Sequence, residues 1–125
     1  METLRWSRLA AEHGYARAQY SLGYAYANGF GVPEDDVEAV RWWRLAAEQG
    51  NARGQYSLEF MYANGEGVPE DHVLAYMWVN LSAVQGNETG QSFKDLIEKV
   101  MTREQIAEAQ RLSREWIAAH PPGGN

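Results

Sequence analysis

The sequence predicts an all-α fold built from stacked pairs of antiparallel helices, and two observations support this prediction. Residues 15–50 match residues 51–86 at 22 of 36 positions without a gap, so the chain repeats with a period of 36. Within each unit, apolar residues recur at helical spacing on both sides of a loop that contains glycine and proline. Because one helix pair cannot bury both of its apolar stripes, neighbouring units are expected to stack into a continuous core.

The repeat divides the chain into four helical parts and a tail. Residues 1–14 match residues 37–50 at nine of 14 positions, so they correspond to the second half of a unit. After Gly86 the repeat fades, and two further helices are predicted, from about 88 to 100 and from 102 to 120. The expected single domain of about seven helices spans 1–120, with a half repeat at 1–14, repeats at 15–50 and 51–86, capping helices at 87–120 and a disordered tail at 121–125.

Local signals predict where the helices begin. Asp35 follows the loop of the first full unit and is a good N-cap, and Glu38 three residues later is expected to complete a capping box. Thr102 and Gln105 form a second capping-box pattern, which begins the last helix.

The apolar positions of the first full unit predict its core, and the second unit contains one conflict with that pattern. Trp43 has no aromatic counterpart in the other units; it is expected to pack into a local gap, with a surface position between units as the alternative. Glu59 stands where the first unit has Gly23, a close-packing position, so its carboxylate is expected to splay the helices or to pair with an arginine. The predicted core residues are Ala18, Leu22, Tyr26, Ala39, Trp42, Leu45 and Ala46.

Composition limits the classes of function. The chain has 17 acidic against 11 basic residues and a net charge of -6, which disfavours binding to nucleic acid or to anionic membranes. The absence of cysteine excludes disulfides and thiolate chemistry. The longest strongly apolar run, residues 73–79, is far shorter than the ~20 residues of a membrane span, and the N-terminus lacks the apolar core of a signal peptide. A cytoplasmic location is the default expectation, with a fragment of an exported protein as the alternative.

No set of residues in the sequence has the pattern of an active site. His13, His72 and His120 lie far apart without the spacing of metal ligands, and the acids beside His72 suit a helix N-terminus better than a metal site. The glycine-rich loops lack the lysine that cradles phosphate in nucleotide-binding loops. We therefore expect no catalytic residue, no metal and no cofactor, and predict that the protein is not an enzyme.

The positions that recur together form a family-like pattern. Over residues 18–50 they are A-x-x-x-L-x-x-x-Y-x-x-G-x-G-V-x-x-D-x-x-x-A-x-x-W-x-x-x-A-A-x-x-G. Residues 1–86 thereby resemble the Sel-one-like repeats, a 36-residue branch of the tetratricopeptide-like helical repeats, and residues 101–116 resemble the cap that often closes such arrays. The resemblance implies a right-handed α-solenoid whose first helices line a concave surface, and a role as an adaptor that holds protein partners.

The candidate binding surface is the face of each first helix that lies opposite the core. Tyrosine and arginine favour interfaces because they combine a large contact area with polar tips. We expect a partner peptide with acidic and apolar residues; alternatively, the aromatic residues pack against the neighbouring unit and the asparagines cap their own helices. The candidate residues are Arg17, Tyr20, Tyr24 and Asn28 in the first full unit and Arg53, Tyr56, Phe60 and Asn64 in the second.

A second candidate surface is the edge formed by Leu4, Trp6 and Leu9, which is expected to be apolar and exposed. Either the chain is a fragment of a longer array that covers this edge, or it self-associates there. The function predicted from these features is a non-catalytic scaffold or adaptor that binds a protein or peptide partner on its concave face. The alternatives are a regulatory or immunity-type inhibitor of an enzyme partner, and a self-assembling structural module.

Overall fold

The structure, a computed structural model, describes residues 2–121, and within this range the chain forms seven α-helices and no strand. The predicted all-α solenoid of about seven helices is confirmed. The division into repeats and capping helices stays a prediction, and the predicted disordered tail lies outside the described residues except for Pro121. The helices are α1 (Glu2–Glu12), α2 (Ala16–Asn28), α3 (Asp36–Glu48), α4 (Ala52–Asn64), α5 (His72–Val84), α6 (Glu88–Glu98) and α7 (Arg103–Ala119).

The helix ends agree with the local signals in all but one respect. The Asp35 carboxylate accepts a hydrogen bond from the backbone N–H of Glu38 at 3.1 Å, which caps α3. Glu38 does not complete a capping box, because its side chain instead forms an ion pair with Arg41 one turn later at 3.1 Å. Thr102 and Gln105 exchange both hydrogen bonds of the capping box that begins α7.

Each helix from α1 to α4 packs against the next, whereas α5 packs against both α6 and α7. This difference explains a wrong prediction: Leu45 of α3 is 38% exposed, although it was expected in the core. Leu81, at the same repeat position in α5, is buried in the main core. The reason is that α5 has two further helices packed over it, while Leu45 lines an open cavity with Val68 from the following loop.

The close approach of α2 and α3 depends on a glycine opposite a tryptophan. Trp43 is buried, as expected, and its indole Nε1 donates a hydrogen bond to the backbone oxygen of Tyr20 at 3.0 Å. A Cβ atom added to Gly23 would lie 2.5 Å from Cδ1 of Trp43, so only glycine fits there without a shift. In the next unit the corresponding positions hold Glu59 and Val79, so the larger side chain is on the first helix and the smaller one on the second.

Glu59 is 7% exposed and has no ion pair or hydrogen-bond partner for its side chain in the described range. The expected pairing with an arginine is therefore wrong, and α4 continues through this position without a break. Burial away from water raises the pKa of the Glu59 carboxyl to about 7.

A repeated set of glutamine hydrogen bonds links successive units. The buried Gln19 donates to the backbone oxygen of Ala11 at 3.2 Å, and Gln49 donates to the Gln19 side-chain oxygen at 2.8 Å. Gln55 and Gln85 repeat the arrangement 36 residues later, with the same 2.8 Å bond between their side chains. Each glutamine pair joins the start of a unit's first helix to the end of its second helix, and the bonds from Gln19 to Ala11 and from Gln49 to Gly14 connect that pair to the preceding helix.

Candidate protein-binding surface

The predicted surface contains a cavity of about 370 Å³ between α2, α4 and α6. Five of the eight candidate residues line it, and the three others, Arg17, Arg53 and Asn64, are exposed outside the lining. The five lining candidates are Tyr20, Tyr24, Asn28, Tyr56 and Phe60.

Helix geometry aligns the aromatic residues in two rows. Tyr20 and Tyr24 lie one turn apart on α2, with ring centroids 6.4 Å apart, and Tyr56 and Phe60 occupy the same positions on α4. In each row the first residue is half-buried and the second is open to solvent: Tyr24 is 47% exposed and Phe60 48%. The exposed ring of each row is therefore available to a partner.

The half-buried rings pack against neighbouring elements, as the alternative interpretation proposed. Tyr20 stacks on Trp43 at 6.3 Å, and the Arg53 guanidinium lies 6.0 Å from its ring centroid. Burial raises the pKa of Tyr20 above its usual value, and the neighbouring Tyr56 adds to this effect. Tyr56 in turn meets Phe93 of α6 edge-on at 5.5 Å. Tyr20, Trp43, Tyr56 and Phe93 all line the cavity, and Tyr20 stays neutral at physiological pH.

The two asparagines bind their own helices. The Asn28 amide donates to the backbone oxygen of Tyr24 at 3.0 Å, and the Asn64 amide donates to that of Phe60 at 2.8 Å. This arrangement agrees with the capping alternative, since each amide satisfies a carbonyl of the last helical turn.

Three carboxylates that the sequence analysis had not linked to the surface also line the cavity. Glu34, Asp36 and Glu66 come from the two interhelical loops and the start of α3, and none forms an ion pair within residues 2–121. This lining favours a cationic partner group over the acidic one expected from Arg17 and Arg53. Glu34 and Asp36 flank the N-cap of α3, and nothing in the linear sequence brings Glu66 next to them.

The edge expected to self-associate is smaller than predicted. Leu4 is half-buried against the cluster of Ala11, Leu22 and Trp42, so it does not belong to the exposed edge. Trp6 is 68% exposed and Leu9 43% exposed, and these two form the apolar part of this edge that solvent reaches.

The histidines do not gather at any site. His13 and His120 each place Nδ1 2.8 Å from a backbone oxygen of their own helix, and His72 lies 3.2 Å from a Glu70 oxygen. Over residues 2–121 no three or more histidine or acidic side chains are grouped as metal ligands would be. No helix in that part of the chain has both the length and the apolar character needed to cross a bilayer.

Solved structures similar to this chain have the same fold. A protective antigen present in uropathogenic Escherichia coli strains, which displays an SLR fold, is 35% identical with a TM-score of 0.90, over 95% of this chain and 26% of that one. A Sel1 repeat protein from Oxalobacter formigenes is 44% identical with a TM-score of 0.70, over 74% of this chain and 27% of that one. The chain thus spans about a quarter of either structure's length.

A search of the curated proteins finds no match. The family model for the Sel1 repeat matches residues 2–15, 16–51 and 52–87, which together make up more than half of the chain. Proteins with this repeat generally mediate protein–protein interactions. The recurring residue pattern, the seven stacked helices and the family match agree, and the chain belongs to the Sel1 repeat family.

Proposed function

We propose that this chain is a non-catalytic protein-interaction module that binds a protein or peptide partner on the face formed by α2, α4 and α6. The observation that carries the proposal is the cavity of about 370 Å³ on this face, with the half-exposed rings of Tyr24 and Phe60 at its wall. The general role of Sel1 repeats in protein–protein interaction supports it.

Binding at this cavity is favourable for two physical reasons. Covering Tyr24 and Phe60 removes apolar area from water, which contributes roughly 25 cal/mol per Å². The rings beneath them are held by packing, with Tyr20 against Trp43 and Tyr56 against Phe93. A surface that is ordered before binding loses little conformational entropy when a partner docks.

The test selects peptides from a displayed library on the wild-type protein and measures the selected peptides by calorimetry. The variant is Tyr24→Ala/Phe60→Ala. Tyr20 is left unchanged because it packs against Trp43, and replacing it would disturb the fold. We expect the double variant to bind at least about tenfold more weakly, as central aromatic contacts do, with an unchanged far-UV circular dichroism spectrum.

The control for this test is Tyr15→Ala/Val84→Ala, which removes two exposed apolar side chains outside the cavity lining. Unchanged affinity in the Tyr24/Phe60 variant would reject this face as the binding surface. A library that yields no peptide, together with tight binding of a folded basic protein, would favour the inhibitor alternative instead.

A second candidate function is self-association, and the exposed Trp6 is the observation that favours it. A second copy covering Trp6 and Leu9 would remove this apolar edge from water. Sedimentation velocity of the wild type and of Trp6→Gln over a wide concentration range tests the idea. A concentration-dependent dimer that the substitution removes would support it, and identical monomeric behaviour of both proteins would reject it.

A further inference from the structure

We infer that the cavity between α2 and α4 receives an arginine side chain of the partner, held between the rings of Tyr24 and Phe60 and the carboxylates of Glu34, Asp36 and Glu66. This inference rests on the proposed function, because it assigns a chemistry to the same surface. The cavity would then select partners that present an accessible arginine side chain.

The charge of the cavity wall is the first step of the argument. Glu34 lies in the loop after α2, Asp36 is the first residue of α3, and Glu66 lies in the loop after α4, so two separate segments of the chain bring their acids to one cavity. None of them is neutralised by an ion pair within the described range. Attraction of a cation is stronger in such a partly enclosed site than in open water.

The aromatic walls are the second step. Cations bind the faces of aromatic rings, and arginine does so most often because its guanidinium is flat and weakly hydrated. The protein already contains one such contact beside the cavity, because the Arg53 guanidinium lies 6.0 Å from the ring centroid of Tyr20, which lines it. Tyr24, by contrast, has its only described aromatic neighbours in Tyr20 and Phe30 and leaves 47% of its surface open.

The volume of the cavity is the third step. About 370 Å³ is at the lower end of the range for ligand pockets, so the cavity suits one long side chain and not a folded element. Arginine can stack its flat group on a ring and still donate paired hydrogen bonds to a carboxylate at the rim. Lysine offers a point charge without this planar match, so we expect it to bind more weakly than arginine.

The experiment uses four peptides, acetyl-Gly-Gly-X-Gly-Gly-amide, in which X is arginine, lysine, citrulline or glutamate. Citrulline keeps the shape of arginine without its charge. Trp43 lines the cavity and donates its indole N–H to Tyr20, so its indole signal in a ¹⁵N–¹H spectrum reports on occupancy. Five tryptophans give five such signals, and Trp43→Phe identifies the one required.

We expect the arginine peptide to shift the Trp43 signal saturably, the citrulline peptide to bind about tenfold more weakly, and the glutamate peptide to cause no shift. The variant Glu34→Gln/Glu66→Gln should weaken arginine binding about fivefold, because it removes two of the three charges. The control Glu48→Gln/Glu104→Gln changes the net charge equally at positions outside the cavity lining and should bind as the wild type does.

The outcomes separate this inference from the proposed function. If the citrulline peptide shifts Trp43 as strongly as the arginine peptide, the charge selectivity is overturned while binding at the surface stands. If none of the four peptides shifts Trp43, the inference is overturned, and the library selection decides the proposed function independently. Equal weakening in the two glutamine variants would show a general effect of net charge and would also overturn it.

Discussion

Glu59→Gln tests how the fold accommodates an acidic residue in its core. Glu59 occupies the position where the preceding unit has Gly23, is 7% exposed, and has no cation or hydrogen-bond donor to its side chain within residues 2–121. A buried carboxylate without a partner favours its neutral form. Glutamine keeps the shape of the protonated side chain without the charge, so the substitution isolates the cost of ionisation.

The magnitude follows from the pKa of this carboxyl, which burial raises from 4.5 to about 7. Well below pH 4.5 the group is protonated in both states and contributes no difference. As the pH rises, the unfolded chain loses this proton first, so the free energy of unfolding falls between about pH 4.5 and pH 7 and then levels off. At about 1.36 kcal/mol per pKa unit, the total loss is at most about 3 kcal/mol, since solvent that reaches the carboxylate reduces it. The Glu59→Gln variant should show no such loss, because glutamine does not ionise.

The assay is urea unfolding followed by tryptophan fluorescence at intervals from pH 4.5 to pH 8. We expect Glu59→Gln and the wild type to be equally stable near pH 4.5 and the variant to be more stable by up to about 3 kcal/mol at pH 8. Contributions from all other groups are common to both proteins and cancel in the difference. Glu104→Gln, an exposed position on α7, is the control and should show no such trend. A difference between wild type and Glu59→Gln that is independent of pH would refute the reasoning.

Three further substitutions test the packing of the repeat by the same unfolding assay. Gly23→Ala should destabilise by about 1–3 kcal/mol despite alanine's better helix propensity, because its Cβ would lie 2.5 Å from Trp43. Gln55→Leu should cost about 1–3 kcal/mol, because it removes the buried acceptor of the Gln85 amide. Thr102→Ala should cost about 1 kcal/mol, because it removes the N-cap of α7.

Each of these predictions has a matched comparison. In a Trp43→Val background, Gly23→Ala should no longer destabilise the protein, because the indole that it would clash with is gone. If Gly23→Ala destabilises that background as much as it does the wild type, the clash with Trp43 is not the cause of the loss. Gln91→Leu, at the third repeat position, lies outside the glutamine network and should have little effect. Thr89→Ala removes a threonine that caps no helix, and a loss equal to that of Thr102→Ala would contradict the capping argument.

Features set by neighbours along the chain could be predicted from the sequence. The N-caps Asp35 and Thr102 act on backbone groups three residues away, so their roles depend on little else. The alignment of Tyr24 with Phe60 on one face also follows from helical spacing and the 36-residue period. Five of the eight candidate residues accordingly line one cavity.

Features that need distant segments could not be predicted in this way. The acids of the cavity come from two loops and a helix start, and only the stacking of units brings Glu34 and Glu66 together. The bond between Gln49 and Gln19 likewise spans 30 residues. Glutamine at a buried position gives no periodic signal, because its polarity is that of a surface residue.

The sequence by itself determined the repeat, the number of helices, the capped starts of α3 and α7 and the apolar stripe of each unit. The tertiary structure alone decided which parts of that stripe are covered. Trp6, Trp42 and Trp78 occupy the same repeat position, yet Trp6 is largely exposed and the other two are buried. The physical reason is that a side chain is buried only where a second helix packs over it, and the sequence of one helix does not show which helix that is.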